Sequence, residues 1–346
     1  MTDLSNLLDQ AWQFLANGDR AAAERLFREL RAQAPGSPEV IGLGAALLAA
    51  TGAVEEAVAE LQRAIELAES GAASDEVRVR LLLDAAELQL YALDDPEAAI
   101  ESCQHAIEFC ADDAELIDGI LLESEAFLAL GDHDDEVRAL LAELDGCSID
   151  DPTTLCRAGD QYALLGDLDQ AVRRFEEAVA RDPACADAHH GLGLIYETQG
   201  RDQDRLRAFV RTRELDVDGP RPAWRLSEEA IEAAVESALA ELPDEVRALL
   251  GNVPIFVEDV PDGDMLREGL DPRVLGLFSG LPLPHRSHIT DGQQPTLERI
   301  QIFARNLERV STSPEQFCAE LRITVLHETA HFFGLEDDDL HDIGLG

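Results

Sequence analysis

The chain has 346 residues, room for two domains or for a repeat array plus a domain. Asp and Glu number 71 against 27 basic residues, all of them Arg, for a net charge of −44. Such a chain repels nucleic-acid backbones and anionic membrane surfaces, favours basic partners, and at 46% hydrophobic residues is not wholly disordered.

The first residues, Met1-Thr2-Asp3-Leu4, show no basic region followed by an apolar core. The longest apolar stretch, Ile41 to Ala50, is far shorter than the roughly 20 residues of a membrane span. The six cysteines form no CxxC pair, so reduced thiols and a cytoplasmic location are expected.

A glycine followed by a helical pattern recurs at Gly18, Gly52, Gly131, Gly166 and Gly200. Gly18 to Gly52 and Gly166 to Gly200 are 34 residues apart, and Gly131 to Gly166 is 35. A further unit turns at Asp94-Asp95-Pro96, after a loop around Ser70 to Ser74. Within residues 152–185, Leu155, Gly159, Tyr162, Ala171, Phe175, Ala178 and Pro183 alternate small and large positions. Gly193, Tyr196 and Phe209 repeat that order, as do Ala23, Phe27 and Pro35. Small residues let antiparallel helices approach, and large ones fill the seam. This period and pattern resemble the tetratricopeptide repeat family. The resemblance implies a mostly α fold, with an α-solenoid of about six helix pairs over residues 1–220 and a concave face for a protein or peptide partner. His189 and His190 lie in a repeat without a ligand spacing and read as structural or solvent-facing.

Gly219-Pro220-Arg221-Pro222 ends the period, and a second domain is expected over residues 221–346. Leu226 to Leu250 reads as helix, interrupted at Leu242-Pro243-Asp244. Val253 to Val260 and Arg299 to Phe303 are strand candidates, and residues 261–296 between them are rich in Pro and Gly. Ser313-Pro314-Glu315-Gln316 announces a helix that should run to Phe333 and stop at Gly334.

That helix carries His327-Glu328-Thr329-Ala330-His331, an HExxH pattern. Residues four apart share a helix face, so His327 and His331 can reach one zinc ion. Glu328, rotated by about 100°, is better placed to accept a proton from water than to ligate. Gly334 and Asp337 extend the pattern to HExxHxxGxxD. A turn at Gly334 could bring Asp337 to the metal as third ligand. Glu336, Asp338, Asp339 and His341 are the alternatives.

Residues 226–346 resemble the small bacterial metallopeptidases called minimal zincins, with a helix like that of matrix metalloproteases. The matching residues are Ala240 to Glu245, Val253 to Glu258, Leu275 to Pro282, Arg299 to Phe303 and His327 to Leu340. The resemblance implies a small α+β domain with zinc held by His327 and His331 and with Glu328 as general base; Asp337 is the third ligand it implies. By the same analogy, the strand at Ile300 to Phe303 could pair with an extended substrate. Two departures stand out. No Met follows Met265, and the three Tyr, at 91, 162 and 196, all lie in the repeats, away from any oxyanion. A second expectation therefore stands beside peptidase activity: an interaction scaffold whose zinc site is structural or weakly active.

Overall fold

The computed structural model describes residues 2–250, 253–280 and 298–335. The chain forms two compact units, Met1–Arg181 and Asp182–Gly346. The fold is mostly α, a helical-repeat solenoid with a small C-terminal three-stranded sheet.

The first unit holds five antiparallel helix pairs: α1 (Thr2–Ala16) with α2 (Arg20–Gln33), α3 (Pro38–Ala49) with α4 (Val54–Leu67), α5 (Asp75–Tyr91) with α6 (Pro96–Ile107), α7 (Asp113–Leu130) with α8 (Asp134–Glu143), and α9 (Pro152–Leu164) with α10 (Leu168–Arg181). The marker glycines adopt left-handed backbone, with φ between 68° and 81° at Gly18, Gly52, Gly131, Gly166 and Gly200. At the turn without a glycine, Asp94 takes φ 53°, a conformation that Asp tolerates better than most residues. The small-against-large pattern is a close approach of helices. A Cβ on Gly44 would lie 2.7 Å from the Phe27 ring, and one on Gly159 would lie 2.9 Å from Phe175.

All six cysteines are free thiols, and burial pushes the Cys103 thiol above its usual range. Among the described residues, no helix is long and apolar enough to cross a membrane.

The second unit opens with a sixth pair, α11 (Ala186–Thr198) and α12 (Asp202–Asp218), whose Gly193 meets Phe209 as in the earlier pairs. It continues with α13 (Glu228–Ala240), α14 (Asp244–Leu250), β1 (Ile255–Glu258), α15 (Gly263–Glu268), β2 (Gly276–Ser279), β3 (Arg299–Phe303), α16 (Ala304–Val310) and α17 (Pro314–Phe332). The sheet order is β1-β3-β2; β3 runs parallel to β1 and antiparallel to β2. Ile255 stands opposite Ile300, and Leu277 opposite Gln301. The core joins Ile231, Val235, Ile300, Ile302, Phe317 and Val325; α17 lies against β2 and β3, and α13 packs on α17.

The sixth pair is tied into this unit through buried Arg273. Its guanidinium donates to both Asp216 oxygens, at 2.8 and 3.0 Å, and to Asp187 at 2.7 Å. Burial alone would lower the Arg273 pKa, but these carboxylates outweigh it and raise it. His190 Nε2 sits 2.9 Å from Asp271 Oδ1, so this histidine has a structural partner.

The two expected strands are present, at Ile255–Glu258 and Arg299–Phe303, and the broken helix appears as α13 and α14. One expectation is corrected. β3 is bonded to a strand on each side, so Ile300 to Phe303 has no edge for an extended substrate. Among the described residues the antiparallel edge is β2, in a stretch whose Pro and Gly content reads as loop.

Candidate metal centre

α17 begins as its sequence requires. Ser313 Oγ accepts from the Gln316 N–H at 3.2 Å, and Pro314 sits at the first helical position. The Gln316 side chain reaches back one residue further than a capping box does, accepting from the Thr312 N–H at 2.9 Å. Phe317, Leu321, Thr324, Val325, Glu328 and Phe332 turn inward, which leaves His327 and His331 half-buried on an adjoining face.

The two imidazoles converge. Their Nε2 atoms are 2.9 Å apart, with ring planes inclined at 81°. Two ligands of one tetrahedral zinc, each about 2.0–2.1 Å from the ion, would stand roughly 3.3 Å apart. The spacing therefore suits a shared ion after a small adjustment.

The end of the helix fixes one tautomer. Gly334 takes φ 81°, its N–H bonds to the His331 carbonyl at 2.9 Å, and the Leu335 N–H bonds to the Ala330 carbonyl at 3.2 Å. These two bonds make a Schellman turn. The turn places the Leu335 carbonyl 2.9 Å from His331 Nδ1. A carbonyl only accepts, so Nδ1 carries the proton and the neutral ring keeps its Nε2 lone pair for a metal. This donor set fits zinc.

Glu328, one position round the helix, turns towards the sheet and is 7% exposed. Its Oε2 accepts from the Phe278 N–H of β2 at 2.6 Å, a short charge-assisted bond. Leu275 and Phe303 are bonded across the β2–β3 ladder, so by alternation the Phe278 N–H points away from β3, to the outer edge. Gly276 allows β2 to lie this close. A Cβ there would sit 2.7 Å from Thr324 Cγ2, 2.8 Å from Glu328 Cγ and 2.9 Å from Glu328 Oε1.

Among the described residues, no group of three or more His, Cys, Asp or Glu could hold a metal. Asp337 lies outside the described residues, as do Glu336, Asp338, Asp339, His341, His285 and His288. Two participants escape a reading of motifs: the Leu335 carbonyl and the Phe278 N–H. Both are backbone groups, and residue type does not mark them. A short apolar run between turn residues, Gly276-Leu277-Phe278-Ser279, is the one signal that could have revealed β2.

A family profile described as zincin-like metallopeptidase matches residues 250–346. Two repeat profiles match upstream, tetratricopeptide repeat at 14–74 and TPR repeat at 159–200. The chain joins tetratricopeptide repeats to a zincin-like metallopeptidase domain. The zincin-like match suggests a metallopeptidase and implies zinc, and the repeats suggest protein interaction. No curated protein matches the chain in sequence. Among solved structures, PilF of Pseudomonas aeruginosa aligns with a TM-score of 0.50 at 11% identity, over 62% of this chain and 93% of its own. PilW, described as a widely conserved type IV pilus biogenesis factor, aligns with a TM-score of 0.50 at 15% identity, over 66% of this chain and 97% of its own. At these identities the likeness is one of fold alone.

Proposed function

We propose that the protein is a zinc-dependent metallopeptidase whose repeat array recruits a protein partner or substrate. The observation that carries this is the convergence of His327 and His331 through Nε2, with the His331 tautomer set by the Leu335 carbonyl. His327 and His331 would hold the ion, with Asp337 as the third ligand we propose. Zinc, when bound, supplies the Lewis acidity that activates water and polarises a scissile carbonyl. Glu328 is the proton carrier. The Phe278 N–H holds Oε2, and Oε1 takes the proton of the attacking water and delivers it to the leaving amine. β2, an edge of the sheet among the described residues, would pair with an extended substrate in place of β3, through backbone groups other than the Phe278 N–H that Glu328 holds.

Recruitment by the first helices of the repeats has its own support. α5, α7 and α9 line a cavity of about 630 Å³ that includes Glu76, Asp84, Glu87, Asp112, Glu115 and Asp118. These acids outnumber Arg80 and Arg157 there, so the surface suits a basic segment.

The test is zinc content of the purified protein, followed by hydrolysis of a denatured peptide library. Glu328→Gln keeps the shape of the side chain and loses the base. It should retain about one zinc per chain and lose roughly 10²–10⁴-fold in turnover. Turnover equal to wild type would overturn the mechanism.

A second reading, a scaffold with a structural zinc, is favoured by the Glu328–Phe278 bond, which braces β2 against α17. Under that reading the wild type binds zinc and cleaves nothing, and Glu328→Gln lowers the melting temperature.

A further inference from the structure

The second helix of the first pair runs against the charge of the chain. α2 carries Arg20, Arg25, Arg28 and Arg31 against Glu24 and Glu29, a surplus of two positive charges in a protein of net −44. Three of these arginines rim a cleft of about 480 Å³ formed by α2, α3 and α4, with Arg63 on its far wall. That volume lies within the range of ligand clefts.

Phe27, Val40, Ile41, Leu47 and Leu48 supply its apolar lining. Gly44 is the reason the lining is continuous. With no Cβ there, the Phe27 ring lies directly on α3.

The charges on the rim do not cancel. Arg20 pairs with Glu24 at 2.8 Å, and Arg63 pairs with Glu60 at 3.5 Å. Arg28 and Arg31 make no ion pair among the described residues. Arg28 Nε donates to the Glu24 carbonyl at 3.3 Å, and the Arg31 guanidinium stands 5.9 Å from the Phe27 ring centre. Both side chains are exposed beside an apolar surface, where a carboxylate would form charge-assisted bonds without displacing an existing partner.

We propose that this cleft docks a peptide segment with apolar side chains on one face and carboxylates along its flank. Burial of the apolar face against Phe27 and its neighbours supplies affinity, and Arg28 and Arg31 select the acidic flank. The cleft is built by second helices with α3 as floor, whereas the acidic cavity is lined by the first helices α5, α7 and α9. The two surfaces therefore select opposite charge. The cleft needs no chemistry at His327 or His331.

Fluorescence anisotropy on the full-length protein tests the proposal. The probe is a labelled peptide of roughly twelve residues, with Leu and Phe at helical spacing and Glu elsewhere. We expect saturable binding that weakens with salt and falls about tenfold or more in Arg28→Gln/Arg31→Gln, a loss of about 1.4 kcal/mol. Arg25→Gln, on the same helix but outside the cleft, should bind as wild type does. Circular dichroism should be unchanged in both variants, because the replaced side chains are exposed. Absence of saturable binding would overturn the proposal, as would equal affinity for the peptide with Lys in place of Glu. Unchanged affinity in the double variant would also overturn it. A single-stranded oligonucleotide of equal charge binding as tightly, or self-association of the protein lost in the double variant, would replace the peptide with another occupant.

Discussion

His331 acquires its role from an atom four residues away. The Leu335 carbonyl meets Nδ1 at 2.9 Å because Gly334 turns left-handed, and this bond leaves Nε2 as the donor we propose for the metal. The third ligand we propose follows this turn in sequence. Asp337, six residues after His331, is our proposal, and His341 is its main rival. Zinc affinity of Asp337→Ala and His341→Ala, measured by competition with a chelator, separates them. Loss of a direct ligand should weaken zinc far more than the roughly 10–100-fold expected for an outer partner. A larger loss for His341→Ala would reverse the assignment.

Between elements, the decisive approach is that of β2 to α17. Three atoms of Thr324 and Glu328 occupy the place a Cβ on Gly276 would need. Gly276→Ala should push the strand off the helix, stretch the Phe278–Glu328 bond and cost about 1–3 kcal/mol of stability. Denaturant unfolding measures the cost, and the variant should still bind zinc, since neither histidine lies in that contact. A variant as stable as wild type would show that the strand yields without cost. At the start of α17 the sequence pattern and the structure agree, because a cap involves neighbours within four residues. Even there, the Gln316 carbonyl selects the Thr312 N–H, a choice that residue types leave open.

For the molecule as a whole, the repeat period and the compact units end at different places. The 34-residue period runs to Gly200 and its helices to Asp218, whereas the second unit begins at Asp182. We keep residue 220 as a proposed boundary of the sequence repeats. A fragment cut there loses Asp187 and Asp216, the carboxylates that neutralise buried Arg273. It also removes the Asp216, Gly219 and Pro220 carbonyls that accept from buried Arg305. A fragment of residues 182–346 should therefore be more stable than one of residues 222–346, by about 3 kcal/mol or more. Thermal unfolding of the two reads the difference directly. Equal midpoints would show that the last helix pair adds nothing to the zincin-like fold.

By itself, the sequence determined what depends on near neighbours. The glycine-marked period, the cap of α17, its stop at Gly334 and the i,i+4 placement of His327 and His331 all follow from helix geometry. Tertiary structure alone decided what depends on residues far apart in the chain. β2 is four residues long, too short to declare itself, and becomes a strand by bonding to β3 some twenty residues later. The same pairing made β3 central and left β2 at the edge among the described residues. Glu328 found its partner in Phe278, fifty positions earlier, and the sixth helix pair found Arg273. Helical order is settled by bonds four residues apart, whereas a sheet edge or a buried ion pair exists only once distant segments have met.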